Sequence, residues 1–291
     1  MTGAIQVLIL GLLLGGVYAL MASGLTLMFG VMRIVNLAHG AFIIVAAYMS
    51  FFAWDILGLD PFVSMIAIIP VMFVLGMAVY RLLFPRIEGS PRYGEMTVLM
   101  TFGLALIAEG LMAVSFTSIF RKANPAYSTD AFILGPFFIP TAQFYASITS
   151  GALLIGLWLF LRYTRTGYAV RATMQNRTAA QIVGVDVRRV STVSFGVGMA
   201  LAGASGSLLS FLFTFFPNRH WQWIAILLSL IVLGGLGSLK GAVVGALALA
   251  VASSFVGDIF GSVWAPMTFF LALFVILMVR PQGLFGKVTR A

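Results

Sequence analysis

The 291 residues contain no cysteine. That excludes disulfides, thiolate chemistry and cysteine-based metal sites, and leaves the redox compartment open. Charge is scarce as well: Asp, Glu, Lys and Arg make up 9% of the chain, where a soluble domain carries about a quarter. A folded chain with so few charges must cover its surface with lipid. Catalytic motifs are also missing, with no HExxH, no phosphate-binding Walker loop, no GxSxG, and no pair of acids at helical spacing within an apolar run. An enzyme is not expected. The formal net charge of +9 would suit a nucleic-acid partner, but the cations sit at the ends of apolar runs and no nucleic-acid motif accompanies them. The N-terminus has no charged leader and no cleavage site, so its first apolar run is expected to be a retained span.

What is present is hydrophobic sequence: 61% of residues, with a mean hydropathy of +1.08. The chain reads as an all-α integral membrane protein with about eight transmembrane helices, some of them broken. Spans are predicted over 4–31, 62–80, 96–120, 144–161, 191–216 and 263–279, and the run 221–260 is long enough for two passes. Within 4–31, Gly11 and Gly15 make a face for close helix packing. The run 41–54 is only 14 residues long, marginal for a crossing. Just before it stands MRIVNLAHG, with Arg33, Asn36, His39 and Gly40. Together they predict a broken helix whose irregular backbone is buried in protein or lines a cavity. Later, LGGLGSLKGAVVG carries Gly234, Gly235 and Gly237, which weaken a helix and mark where two spans meet. The early GLTLMFGVMRIVNLAHGAF and the late IVLGGLGSLKGAVVGAL form a weak internal echo of the kind that flanks a central site.

Cations set the orientation. The stretch 162–190 carries Arg162, Arg165, Arg171, Arg177, Arg188 and Arg189 against the single acid Asp186, and loops rich in Arg and Lys stay cytoplasmic. Arg81, Arg86 and Arg92 mark the same side, as do Arg280, Lys287 and Arg290. The loop with Asp55 and Asp60, the stretch 121–140 and the short turn Asn218, Arg219, His220 are predicted to be exterior. Within 162–190, Gly167 starts a first short helix that runs to about Gln175; Asn176 caps a second and Gly184 ends it. Val170, Met174 and Ile182 give this pair one mildly apolar side, with Arg171, Gln175 and Arg177 projecting elsewhere. Two readings stand: a solvated basic loop that sets topology, or a docking element.

Two ionisable groups at membrane depth are functional candidates. Glu109, near the middle of its span, could bind an ammonium group or relay a proton; the structural alternative is pairing with Arg33 or Lys240, or facing a wet cavity. His39 could titrate near neutral pH, or could stabilise a kink beside Asn36 and Gly40. No metal site emerges.

The stretches GLTLMFGVMRIVNLAHGAFIIVAAYMS, RTGYAVRATMQNRTAAQIVGVDVRRVSTVSFGVGMALAGASGSLLS and LGGLGSLKGAVVGA resemble the permease subunits of bacterial branched-chain amino acid ABC importers, the LivH type more than its longer LivM-type partner. The resemblance implies a single transmembrane permease domain over 1–291 that imports branched-chain or other hydrophobic amino acids through the inner (plasma) membrane. It implies a second, LivM-type permease, two cytoplasmic ABC ATPase subunits that bind the ATP, and a periplasmic substrate-binding protein, so no cofactor is expected here. By the same resemblance, Asn36, His39 and Gly40 of NLAHG, with Gly234, Gly235 and Gly237, belong to the broken helices of the pathway, to which Glu109 is added. Asn176 to Gly184 is similar to the loop by which such permeases touch their ATPases, so that Met174, Asn176, Arg177, Thr178, Ala179, Ala180 and Gly184 are the coupling candidates. That loop usually reads Asn-x-Glu-Ala-Ala; Thr178 replaces the glutamate and removes its ion pair, while Ala179 and Ala180 offer a small packing surface. The competing readings are a proton-coupled secondary transporter built on Glu109 and an ABC permease for urea or short amides. A cysteine placed at Gln175 is expected to resist a membrane-impermeant thiol reagent in intact cells and to react in inverted vesicles; labelling from outside would overturn the orientation.

Overall fold

A computed structural model describes residues 2–286; Lys287 and Arg290, assigned above to the cytoplasmic C-terminus, lie outside the described residues. Helix α8 (Val187–Leu212) is the spine of the fold. Of its apolar window 89% is buried, against 22–56% for the other six helices long and apolar enough to cross a membrane. Its small residues make this possible. A Cβ on Gly206 would lie 2.6 Å from Ala46 Cβ on α2 (His39–Leu57), and one on Gly198 would lie 2.9 Å from the Gly24 carbonyl of α1 (Thr2–Met32). Lipid offers no hydrophobic drive for helix association, so such close approach supplies the packing energy.

Around that spine the other helices fall into two sets. In the first set, α3 (Pro61–Leu83) lies along α8, with Gly76 against Met199 and Gly196 against Phe73 and Met77. In the second, α10 (Leu239–Phe260) lies along α1, with Gly11 against Val251 and Gly15 against Leu247. The outer members are α4 (Tyr93–Phe116) and α11 (Met267–Val279), a shorter apolar helix. Helix α9 (His220–Gly234), 15 residues long, corresponds to α2. Helix α5 (Thr141–Tyr163) links the two sets, followed by the short α6 (Arg165–Gln175) and α7 (Arg177–Ile182). The seven long apolar helices and α11 agree with the all-α, multi-pass membrane fold expected from composition.

The α1 packing places its ends. Gln6 exchanges two hydrogen bonds with the Phe138 backbone, in the antiparallel hairpin β1 (Ala131–Leu134) and β2 (Phe137–Pro140). At the other end Gly30 meets Met174 of α6. By connectivity Arg33, Arg81, Arg86, Arg92, Lys240 and Arg280 join the α6 and α7 arginines at this second end, which the positive-inside rule makes cytoplasmic.

Three expectations need correction. Asn218, Arg219 and His220 do not form an exterior turn: after α8 the chain turns back, and His220 is wholly buried, its carbonyl 2.7 Å from where a Cβ on Gly40 would stand. The glycine break at Gly234, Gly235 and Gly237 is not a second interruption beside the first. It is a turn near the cytoplasmic end of α1, with Gly237 against Gly30 and Gly235 against Gly286. The counterpart of 33–38 is therefore 213–219, and the late half of the sequence echo does not mark it.

Replacing Gly206 with alanine is expected to cost about 1–3 kcal/mol through overpacking. Gly103→Ala on α4, where nothing lies within 4 Å, should be neutral or stabilising by about 1 kcal/mol. Thermal unfolding in detergent separates the two, and equal melting points would remove the close-packing argument.

Candidate functional site

Helices α2 and α9 both start inside the bundle and their first turns touch. Each must find partners for the irregular chain that precedes it, because lipid provides none. On the α2 side, α1 closes with Arg33 at a left-handed φ of 55°. Asn36, wholly buried, then organises the turn. Its Oδ1 accepts from the Ala38 amide at 3.1 Å, its carbonyl accepts from His39 at 3.2 Å, and its Nδ2 reaches Met28 Sδ at 3.4 Å. From α4, Thr101 Oγ1 accepts the Leu37 amide at 3.2 Å and stands 3.4 Å from the Val35 carbonyl. His39, also wholly buried, has Nε2 3.3 Å from the Met21 carbonyl, which assigns the proton to Nε2, while Nδ1 has no partner. Gly40 is the contact with α9, and any side chain there would meet the His220 carbonyl and Ile224.

On the α9 side, the chain 213–219 is stitched to the segment after α4. Arg121 and Phe215 exchange two backbone hydrogen bonds of 2.9 Å, and the Ala123 amide donates to the Ser210 carbonyl at 2.8 Å. The Arg121 guanidinium lies over Phe51, 5.4 Å from the ring centre. Glu109 completes the arrangement. Its Oε1 accepts from Asn218 Nδ2 at 3.0 Å, and its Oε2 stands 3.1 Å from His220 Nε2 and accepts from Trp221 Nε1 at 3.0 Å. An acid at the start of α9 is well placed, since helix N-termini favour negative charge. Neither Arg33 nor Lys240, the partners considered for Glu109, forms an ion pair with it.

Of the central candidates, then, the structure gathers Asn36, His39, Gly40 and Glu109 and moves Gly234, Gly235 and Gly237 to the cytoplasmic turn. It adds Thr101, Asn218, His220 and Trp221. The available signal for the last three was Pro217–Asn218 ahead of an apolar run too short to cross by itself.

At the cytoplasmic end the two-helix element is firmly capped. Thr164, not Gly167, begins α6, its hydroxyl accepting from the Gly167 amide at 2.9 Å. Asn176 Oδ1 accepts from Ala179 at 3.0 Å, Gly184 takes φ +88°, and Asp186 caps α8 through the Arg189 amide at 2.9 Å. Several coupling candidates face inward instead. Met174 packs on Gly30, Arg177 pairs with Glu88 in the connection between α3 and α4, and Ala180 is 3% exposed. The single apolar side drawn through Val170, Met174 and Ile182 does not exist: Val170 is buried while Ile182 is 81% exposed. The exposed tip consists of Thr178, Ala179, Gln181, Ile182 and Val183. Among the described residues no group of three or more His, Asp or Glu is placed to hold a metal ion.

With this geometry established, comparison with known proteins adds the following. A family profile described as branched-chain amino acid transport system / permease component matches residues 7–279. The chain is 28% identical to the high-affinity branched-chain amino acid transport system permease protein BraD of Pseudomonas aeruginosa, over 97% of this chain and 96% of the relative. It is 27% identical to LivH of Salmonella typhimurium, over 95% and 94%. Identity to LivM of Escherichia coli is 25%, over 92% of this chain and 67% of the relative. No solved structure matches the chain.

Thr101→Val keeps the shape of the side chain but leaves the half-buried Leu37 amide unpaired, at an expected cost of about 1 kcal/mol. A melting temperature in detergent unchanged from the parent would show that this tie does not hold the chain before α2.

Proposed function

The chain belongs to the family of branched-chain amino acid transport system permease components and is a permease subunit; from that premise we propose that it carries branched-chain or other hydrophobic amino acids into the cytoplasm under the power of separate ABC ATPases. The ATPases dock on the 162–190 element. A second permease of the LivM type completes the pathway, a periplasmic binding protein delivers the substrate, and the assembly sits in a bacterial inner membrane. Likeness to both LivH and LivM proteins supports the pairing.

The observation that carries the docking reading is the tip of α7. Ile182 and Val183 are 81% and 78% exposed at the end of a capped, inwardly clamped helix pair, on the side that the arginines mark as aqueous. Such a projection in water suits a partner's pocket. Two contacts lead from it to the bundle. Met174 rests on Gly30, three residues before the irregular chain to α2. Arg177 holds Glu88, ahead of the helix that carries Thr101 and Glu109. A push on α6 and α7 would thus reach the chain before α2 and the helix that braces it.

Ile182→Asp, and separately Thr178→Arg, are expected to weaken co-purification of the ATPases about tenfold or more, the loss typical of a central interface residue, with the permease melting point unchanged. Full retention of the ATPases by both variants would refute docking at this tip.

A further inference from the structure

We propose that Glu109 is a substrate-binding residue, whose carboxylate receives the ammonium group of a zwitterionic amino acid where α4 meets the start of α9. The proposal rests on the permease reading above and names a subsite for its cargo. A carboxylate offers about four lone-pair positions, and Asn218, His220 and Trp221 fill three of them. The remaining acceptor position belongs to a side chain that is 20% exposed, beside an exposed Asn218.

The charge also lacks a permanent partner. Among the described residues His220 is the only basic side chain within 4.0 Å of Glu109; Arg219, next in sequence, places its guanidinium 5.9 Å from the centre of the Phe216 ring. An acid at membrane depth faces the bundle interior or a water-filled cavity and pairs with a cation where one is available. The adjoining 213–219 backbone is irregular, and such backbone is tolerated at this depth against protein or water and not against lipid. Charge complementarity then selects a cation as the occupant.

The walls select an amphipathic one. Phe102, Leu106 and Glu109 fall at i, i+4 and i+7, one face of α4, and Phe102 and Leu106 are 40% and 46% exposed. The Trp221 ring packs 5.3 Å from that of Phe102. An ammonium group on Glu109 would lie near the Phe102 and Trp221 rings, with an apolar side chain along Leu106. The unpartnered Nδ1 of the buried His220 leaves that ring free to keep Nε2 on Glu109.

The test uses the complete importer in nanodiscs with Asn218→Cys in this otherwise cysteine-free chain, labelling being read by mass on this subunit. The probes are the cationic reagent 2-(trimethylammonium)ethyl methanethiosulfonate and the anionic reagent 2-sulfonatoethyl methanethiosulfonate, each rate divided by that on a free small thiol. The cationic reagent is expected to react about tenfold faster or more, the usual enrichment in a cleft of opposite charge. Saturating leucine should slow it, and Glu109→Gln should bring the ratio close to unity. Equal rates in the parent background, or no reaction with or without nucleotide, would overturn the proposal even if Glu109→Gln fails to fold. ATP-driven leucine uptake by the parent importer in proteoliposomes checks the permease reading separately. Uptake without selective labelling sinks only the site; selective labelling without uptake sinks the permease reading and its cargo with it.

Discussion

Every backbone amide and carbonyl that leaves a helix at membrane depth has to find a partner within the protein, and two segments of this chain do leave. The stretches 33–38 and 213–219 each bring the chain back into the bundle and start a new helix there. Several of their backbone groups are met in this way: the Ala38 amide by Asn36 Oδ1, the Leu37 amide by Thr101, and Phe215 by the Arg121 backbone, while the side chains of Asn218, His220 and Trp221 converge on Glu109. In water such turns would be solvated at little cost. In lipid each unpaired group costs several kcal/mol, so these contacts specify the fold.

The same requirement explains the glycines and serines of α8. Two interrupted helices can meet at the core only if the elements around them come close, and side chains on Gly40 or Gly206 would push α2 off α9 and α8. Two buried hydroxyls on that surface return their hydrogen bonds to the preceding turn or to each other, Ser207 to Gly203 and Ser210 to Ser50 and Ser207, while those of Ser191, Ser194 and Ser205 have no partner. Close packing and backbone satisfaction are thus one constraint seen at two scales.

The cytoplasmic pair α6 and α7 is the counterpart in water. Its ends are capped by Thr164, Asn176 and Asp186, and its inner face is tied to α1 and to the connection before α4. What remains free is a small apolar tip. A rigid lever with one exposed apolar end, resting on the helix that feeds the first re-entrant chain, is the arrangement on which the proposed ATPase docking rests.

Sequence alone determined the solvent class, the gathering of the arginines at one end, the caps at Asn176 and Gly184 and the break at Asn36. These follow from composition or from interactions within a few residues, and such interactions act wherever the segment ends up. Only the tertiary structure decided that the chain folds inward at His220 while Asn218 stays exposed, because a short polar step between apolar runs has the same composition at a surface turn as inside a bundle. It also decided that Glu109 serves residues 109–112 positions away, and that Ala180 and Met174 face the bundle while Ile182 faces water. A six-residue helix such as α7 is rotated by what it docks against, here Glu88 and α8, and contacts between groups so distant along the chain leave no periodic trace in it.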